Sequence, residues 1–371
     1  MSIRSATLGL LGAALVTIVV AIWGALALWF TLPAPPGLRA VAALLFAATG
    51  ATALALLRRQ MVAPLLLFAI AFTGVLVWWS TIGPRNDRDW QPDVARLPSA
   101  EIAGDLVTLH NVRSFDYRSA SEFTERWYDR TVDLRRLDSL DLIAVYWMGD
   151  AIAHIMVSFG FGGDHLAISI ETRKERGETY SPIAGFFKRY ELVYVLGDER
   201  DLIRLRTEYR RPEEFVYLYR TRARPDTARR LFLEYVDRMN RLKEQPEFYD
   251  TLTTNCTTEV WSLARALSGQ FPLDWRVLLT GYFPAYAYAR GSLDTNMPFE
   301  KLKSLSLIND KAHAAGRDVD FSALIRAGLP DPPLRSAKGP VDPPRLVPPA
   351  PGAGQLTALE LQEPLLPTQG E

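Results

Sequence analysis

Cysteine and histidine are nearly absent from this 371-residue chain, which has one cysteine, Cys256, and four histidines, His110, His154, His165 and His313. A single cysteine rules out an intrachain disulfide, so a fold outside the cytoplasm would rely on its packed core. The sequence contains no CxxC or HxxxH spacing, which argues against a zinc site built from soft ligands. No cofactor motif is present either. Net charge is also missing: 42 Lys and Arg balance 42 Asp and Glu. No global field therefore points to nucleic acid or an acidic partner. No internal repeat is found. At roughly 150 residues per domain, the length allows about two units.

Charge is scarcest at the start. Residues 7–31, "TLGLLGAALVTIVVAIWGALALWFT", are uncharged and long enough to cross a ~30 Å hydrocarbon layer as a helix. A turn, "PAPPGLRA", leads to a second apolar run at 40–57, and after "RRQ" a third runs from Met61 to Ser80. The short turns favour a three-helix anchor over residues 1–82. The first run is too long for a signal peptide and lacks a small-residue cleavage site. Arg4, Arg58 and Arg59 outweigh Arg39, which places the N-terminus in the cytoplasm. Three crossings then put the rest outside, with Trp78 and Trp79 at the aromatic belt of the third span.

A soluble domain is expected over residues 83–330. The stretches 142–148, 152–159, 165–171, 191–196, 201–206 and 215–219 read as strands, being short, rich in β-branched and aromatic residues, and separated by Gly, Asp or Pro. A helix is expected from Pro225, with Leu231, Tyr235, Met239 and Leu242 at three- and four-residue steps. A second starts near Cys256, with Val260, Leu263, Ala264 and Leu267 on one face and Gly269 after its end. Strands followed by helices make an α+β domain with a mainly antiparallel sheet packed on helices. Residues 331–371 are Pro-rich and are expected to be disordered.

The one thiol lies in "TLTTNCTTEVWSLARAL", where a Thr-rich turn enters a helix-patterned segment. Unpaired N–H groups and the helix dipole at such a position lower a thiol's pKa, and the same N–H groups can receive an oxyanion. The plainer alternative is that Asn255 and the threonines cap the helix while Cys256 packs as a small apolar residue. A thiolate catalyst needs a base. His154 shares a strand face with Ile152, Met156 and Ser158, where an imidazole must be hydrogen-bonded or functional. If the following hairpin loop is Gly160–Gly163, Ser169 pairs opposite His154, and Ser169 and Glu171 share its face. A one-residue change in the loop would send both to the other face. Glu171 either orients His154 or belongs to the solvated run "ETRKERGE". His165, at a strand entry, is a weaker candidate, and His110 and His313 read as surface residues.

The segments "NVRSFDYRSASEFTERWYDRTVDL", "AIAHIMVSFGF", "ISIETRKERGETYSPIAGFFKRYELVYVLGDERDLIRLRT", "YDTLTTNCTTEVW" and "DWRVLLTGY" resemble the Lnb-type periplasmic domain family, over residues 85–330. That family is attached to bacterial inner membranes and is similar to permuted papain-like (NlpC-type) thiol enzymes, in which a strand histidine precedes a cysteine at a helix start. One branch is a lipoprotein N-acyltransferase. The resemblance implies Cys256 as nucleophile and His154 as base. A phospholipid would be the acyl donor and a lipoprotein N-terminus or other amine the acceptor, with no nucleic acid partner and no cofactor. The role of Glu171 as the third member is inferred from its segment, and Asn255 is a candidate cap or oxyanion donor. Arg173, Lys174 and Arg176 are either a lipid-phosphate site or a solvated charge run. This chain differs from the acyltransferase branch by its three spans and Pro-rich tail. The competing readings are a papain-like cysteine peptidase or amidase of the envelope, and a non-enzymatic envelope assembly protein. Oligomeric state is left open.

Overall fold

The structure, a computed structural model, describes residues 3–57, 59, 62–268 and 271–332. Arg58, Met61, Gly269 and the Pro-rich stretch from residue 333 onward lie outside the described residues.

Three helices come first: α1 (Ile3–Thr31), α2 (Pro36–Leu57) and α3 (Ala63–Thr81). All three are long and apolar enough to cross a membrane. Their inner face is narrow. Ala21, Phe46, Ala53 and Phe68 pack together, while Leu11, Leu15 and Ile70 are more than 60% exposed. That distribution suits an apolar solvent on the outside. Small residues let the helices close up: a Cβ on Gly50 would come within 2.8 Å of the Ala21 methyl, and one on Gly24 would strike the Phe46 ring.

The domain that follows is α+β, with a sheet packed against helices, as its sequence implies. An eight-stranded sheet runs β1 (Ser99–Ala103), β2 (Leu106–Arg113), β9 (Glu191–Asp198), β8 (Asp164–Arg173), β7 (Ala153–Phe161), β6 (Leu137–Tyr146) and β10 (Phe215–Arg220), with β5 (Trp127–Asp133) also paired to β2. Pairing is antiparallel except at the β2–β9 join. A small ribbon, β3 (Asp116–Tyr117) with β4 (Phe123–Thr124), lies apart. Central strands bury both faces, so β6–β9 read as nearly continuous apolar runs. On one face Ile155, Val157 and Phe159 pack against α5 (Pro225–Glu244), whose Leu231, Tyr235, Met239 and Leu242 are all buried. Also in this core is the start of α6 (Cys256–Ser268). On the other face Ile143, Val145 and Met156 meet Ile203, Ile308, Ala312 and Ile325. These last come from α4 (Glu199–Arg204), the chain entering α10 (Asn309–Ala315), and α11 (Phe321–Arg326). Shorter helices α7 (Trp275–Leu278), α8 (Phe283–Ala289) and α9 (Phe299–Ser306) complete the domain.

Two local expectations are corrected. Residues 201–206 form not a strand but the end of α4 and the start of a π-turn at Leu205–Tyr209. Consecutive side chains there all find buried partners: Leu202 and Ile203 enter different apolar clusters, while Asp201 accepts from Arg113 Nε at 3.0 Å and from the Phe115 N–H at 2.7 Å. Burial all round erases the alternation that separates strand from helix. The β7–β8 loop is the second case. It is two residues, not four, with Phe161 paired to Asp164 across Gly162 (φ +62°) and Gly163 (φ +102°). Positive φ at both central residues is what a tight two-residue hairpin requires.

The buried charges on the second face form one clamp. Arg326 donates to Asp141 Oδ2 at 2.9 Å and to Glu199 Oε2 at 2.7 Å, and Ser158 donates to Glu199 Oε1 at 2.6 Å. It ties α11 and α4 to the sheet.

Candidate functional site

The Thr-rich turn before α6 is a capping device. Asp250 Oδ1 accepts from the N–H groups of Leu252 and Thr253, at 2.9 and 2.7 Å, and closes the turn. Asn255 Oδ1 then accepts from the N–H groups of Thr257 and Thr258, at 2.9 and 3.0 Å, while the Asn255 N–H donates back to Thr258 Oγ1 at 2.8 Å. This reciprocal arrangement is a capping box with threonine at its third position. The Asn255 amide nitrogen donates to the Thr251 carbonyl at 2.8 Å. Asn255 is therefore the cap: its amide oxygen is committed to Thr257 and Thr258, and its amide nitrogen gives one of its two hydrogens to Thr251. The Cys256 N–H has no acceptor among the described residues, so it is the donor left at the helix start.

Cys256 is 6% exposed and lies beside β7. His154 and the Ile155 N–H both act on its sulfur and lower the thiol's pKa, and Thr257 Oγ1 lies 3.8 Å from it. A second line of contacts holds the imidazole from behind. His154 Nε2 is 2.6 Å from Ser169 Oγ, and Ser169 donates to Glu171 Oε1 at 2.6 Å. The same carboxylate oxygen is 3.2 Å from Nε2 and accepts from Arg206 at 2.7 Å. Since the hydroxyl proton goes to Glu171, Nε2 must donate, and Nδ1 is the atom left for the sulfur.

Register explains why the face survives a wrong loop length. The hairpin is two residues shorter than the Gly160–Gly163 loop, so Ser169 pairs with Met156 rather than His154. A two-residue change slides the partners along the strand but keeps their face. Glu171 moves to the position across from His154.

The start of β7 is pinned as well. The Ala153 N–H donates to Thr280 Oγ1 at 2.9 Å and the Gly281 N–H to the Ala151 carbonyl at 3.0 Å. A Cβ on Gly281 would collide with the Asp150 carbonyl oxygen, so this approach requires glycine.

Electrostatics follow from these contacts. Burial alone would lower the His154 pKa, but the Glu171 carboxylate and then the sulfur's negative charge outweigh it and push it up to about 9. Burial alone would raise the thiol, but the His154 charge, its hydrogen bond and the Ile155 N–H hold it below its ordinary value. Glu171 is also buried, yet His154 and Arg206 keep it well below the usual carboxylate range. Both shifts favour the thiolate–imidazolium form of the pair. Tyr180, beside the sulfur, is pushed up to about 12 by burial and then by that charge, so it stays a neutral phenol.

The pair opens into a cavity of about 410 Å3 lined by His154, Glu171, Asn255 and Cys256, by Tyr180 and Tyr249, by Lys174, and by Arg206, Arg210 and Arg211. That volume is within the ~300–1,000 Å3 typical of small-ligand pockets. Among the described residues no group of three or more His, Cys, Asp or Glu side chains is disposed to hold a metal ion.

All four sequence candidates, Cys256, His154, Glu171 and Asn255, line this cavity. Ser169 had been placed only by its face and Arg206 not at all, since it falls in the segment misread as a strand. Of the other candidates Lys174 also lines the cavity, and the rest lie elsewhere. Arg173 is neither a phosphate ligand nor solvated: it is 2% exposed, stacks on Trp90 at 4.3 Å and donates to the Val94 and Ala95 carbonyls. Arg176 pairs with Asp89 at 2.9 Å at the surface. His165 is half-buried against the Gly163 carbonyl, His110 pairs with Asp129, and His313 meets the Thr207 carbonyl.

Residues 123–281 match a family model described as the Lnb N-terminal periplasmic domain. Every residue of the His154–Ser169–Glu171–Arg206–Cys256 chain falls inside that span. No curated protein and no solved structure matches the chain significantly.

Proposed function

Because residues 123–281 belong to the Lnb-type periplasmic domain family, and three apolar helices fit a membrane-anchored envelope protein, we propose that this chain is a thiol acyltransferase of the inner membrane with its soluble domain in the periplasm. In this reading the Cys256 thiolate attacks the ester carbonyl of a phospholipid, forming the C–S bond. The Cys256 N–H faces the oxyanion. As the tetrahedral intermediate collapses, the ester C–O bond breaks and His154 gives its proton to the departing alkoxide, releasing a lysophospholipid. An amine, such as a lipoprotein N-terminus, then attacks the thioester. His154 takes the amine's proton, the C–S bond breaks, and the thiolate returns.

Carrying the reading is the placement of Cys256 and His154 on the wall of one cavity, with the imidazole backed by Ser169, Glu171 and Arg206. A strand histidine followed by a cysteine at a helix start is also the order of the permuted papain-like enzymes. The helices tether the site beside the leaflet that would hold the donor.

Incubating the reconstituted chain with phospholipid vesicles and an amine-bearing peptide tests it. Lysophospholipid and N-acyl peptide are expected together, and both are lost in Cys256→Ala. Peptide cleavage without lysophospholipid would assign the site to a peptidase or amidase instead. Neither product, in wild type as in the variant, would leave the chain an assembly protein.

A further inference from the structure

The segment joining β8 to β9 touches both the helices and the cavity. Phe187 packs on Trp23, Phe30 and Trp79, with ring centroids 5.5 to 6.3 Å apart. Lys188 donates to the carbonyls of Trp79 and Ile82, both at 3.0 Å, and Arg189 donates to that of Phe30 at 3.1 Å. These contacts hold the segment against the ends of α1 and α3, where two adjacent spans leave the hydrocarbon. Just before Phe187, Ile183 and Phe186 are 55% and 44% exposed. The same segment supplies Tyr180 and Pro182 to the cavity wall. It is also joined to the turn before Cys256, since Thr251 donates to the Pro182 carbonyl at 2.8 Å and its N–H to the Gly185 carbonyl at 3.4 Å. Leu252, next in that turn, is 48% exposed.

We propose that Ile183, Phe186 and Leu252 form a lipid-seated lip of the cavity, dipping into the leaflet surface beside the spans so that an acyl donor reaches Cys256 without passing through water. Three large apolar side chains on neighbouring turns make a patch that water disfavours. Continuity with the helix ends selects its occupant. Phe187, one residue on, already packs among the aromatic side chains of the spans, and Lys188 lies at that boundary with its ammonium over the Trp79 ring and on two backbone carbonyls. The lip stands on α1–α3 being spans and gives the proposed transferase a lipid-side entrance, but it does not require the transfer chemistry.

The lone thiol makes the test clean. In full-length Cys256→Ser protein reconstituted in vesicles, single cysteines Ile183→Cys, Phe186→Cys and Leu252→Cys are nitroxide-labelled. Leu15→Cys on α1 serves as the lipid reference, and Ile102→Cys and Val319→Cys, at 54% and 88% exposure, as water references. Collision rates with oxygen and with a water-soluble nickel chelate are then measured. Labels in the lip should lie between Leu15 and the water references, more open to oxygen and better guarded from nickel than residues 102 and 319. Nickel access equal to that at residues 102 and 319 overturns the proposal, and so does shielding from both reagents, which would mean a protein partner. With the thiol replaced, the result is independent of transfer: lipid-like labels beside a failed acylation assay would keep the lip and reject the transferase.

Discussion

The Ser169 hydroxyl lies 2.6 Å from His154 Nε2 and passes its own proton toward Glu171 Oε1, also at 2.6 Å. A serine thus sits between base and acid in a contact that usually joins the two directly. The carboxylate also reaches Nε2 at 3.2 Å, so two routes connect them.

That doubling sets an order of severity. Ser169→Ala keeps the direct route and should lower turnover several-fold. Glu171→Gln removes the charge that raises the imidazole and should cost on the order of 10²–10⁴ in kcat, the scale of general-base catalysis. It should also shift the basic limb of the pH profile, set by His154 at about 9, to lower pH. Turnover against pH in both variants checks this.

Iodoacetamide reports the thiol directly. The lowered Cys256 pKa means that alkylation should stay fast below the ~8.5 midpoint of an ordinary thiol. In His154→Asn the imidazolium is gone while burial still opposes the charge, so the midpoint should rise above that of wild type. Rates measured from pH 5 to 10 give both midpoints.

Asn255 separates stability from chemistry. Asn255→Ala should destabilise the domain by about 1 kcal/mol, the usual value of a helix cap. Asn255→Asp keeps the acceptor for Thr257 and Thr258 but sets a carboxylate next to the sulfur. Its melting temperature should approach wild type while its thiol midpoint rises. Melting curves beside alkylation rates distinguish the two effects.

Arg326 should matter for folding and not for chemistry. Removing it in Arg326→Met leaves the buried Glu199 carboxylate with only the Ser158 hydroxyl, while Asp141 keeps Arg220, and breaking such a buried pair costs about 3–5 kcal/mol. Burial alone would raise the Glu199 pKa, but Arg326 holds it at about 2. Its contribution is therefore present above the ordinary carboxylate range and is lost only as pH falls through about 2. Denaturant unfolding at neutral pH checks the magnitude.

How much of this was legible in the sequence depended on the kind of signal. Cys256 and His154 stood out because a thiol at a helix start and an imidazole among Ile152, Met156 and Ser158 are chemically out of place. Glu171 kept its face because a strand repeats every two residues and the loop estimate erred by two. Arg206 was hidden because Leu202, Ile203 and Leu205 are buried on all sides, and such a run carries no period. Edge strands β1 and β5 escaped because "SAEIA" is short and "WYDRTVD" mostly polar, so neither carries an apolar alternation. Arg173 looked like part of a charged surface run, and only the fold reveals Trp90 beneath it.

The central claim is that Cys256 carries an acyl group, and intact-protein mass spectrometry tests it most directly. After incubation with phospholipid vesicles and no amine, wild type should gain one fatty-acyl mass, mapped to the Cys256 peptide and removed by hydroxylamine. An unmodified wild-type chain, or an equal mass gain in Cys256→Ala, would contradict the account.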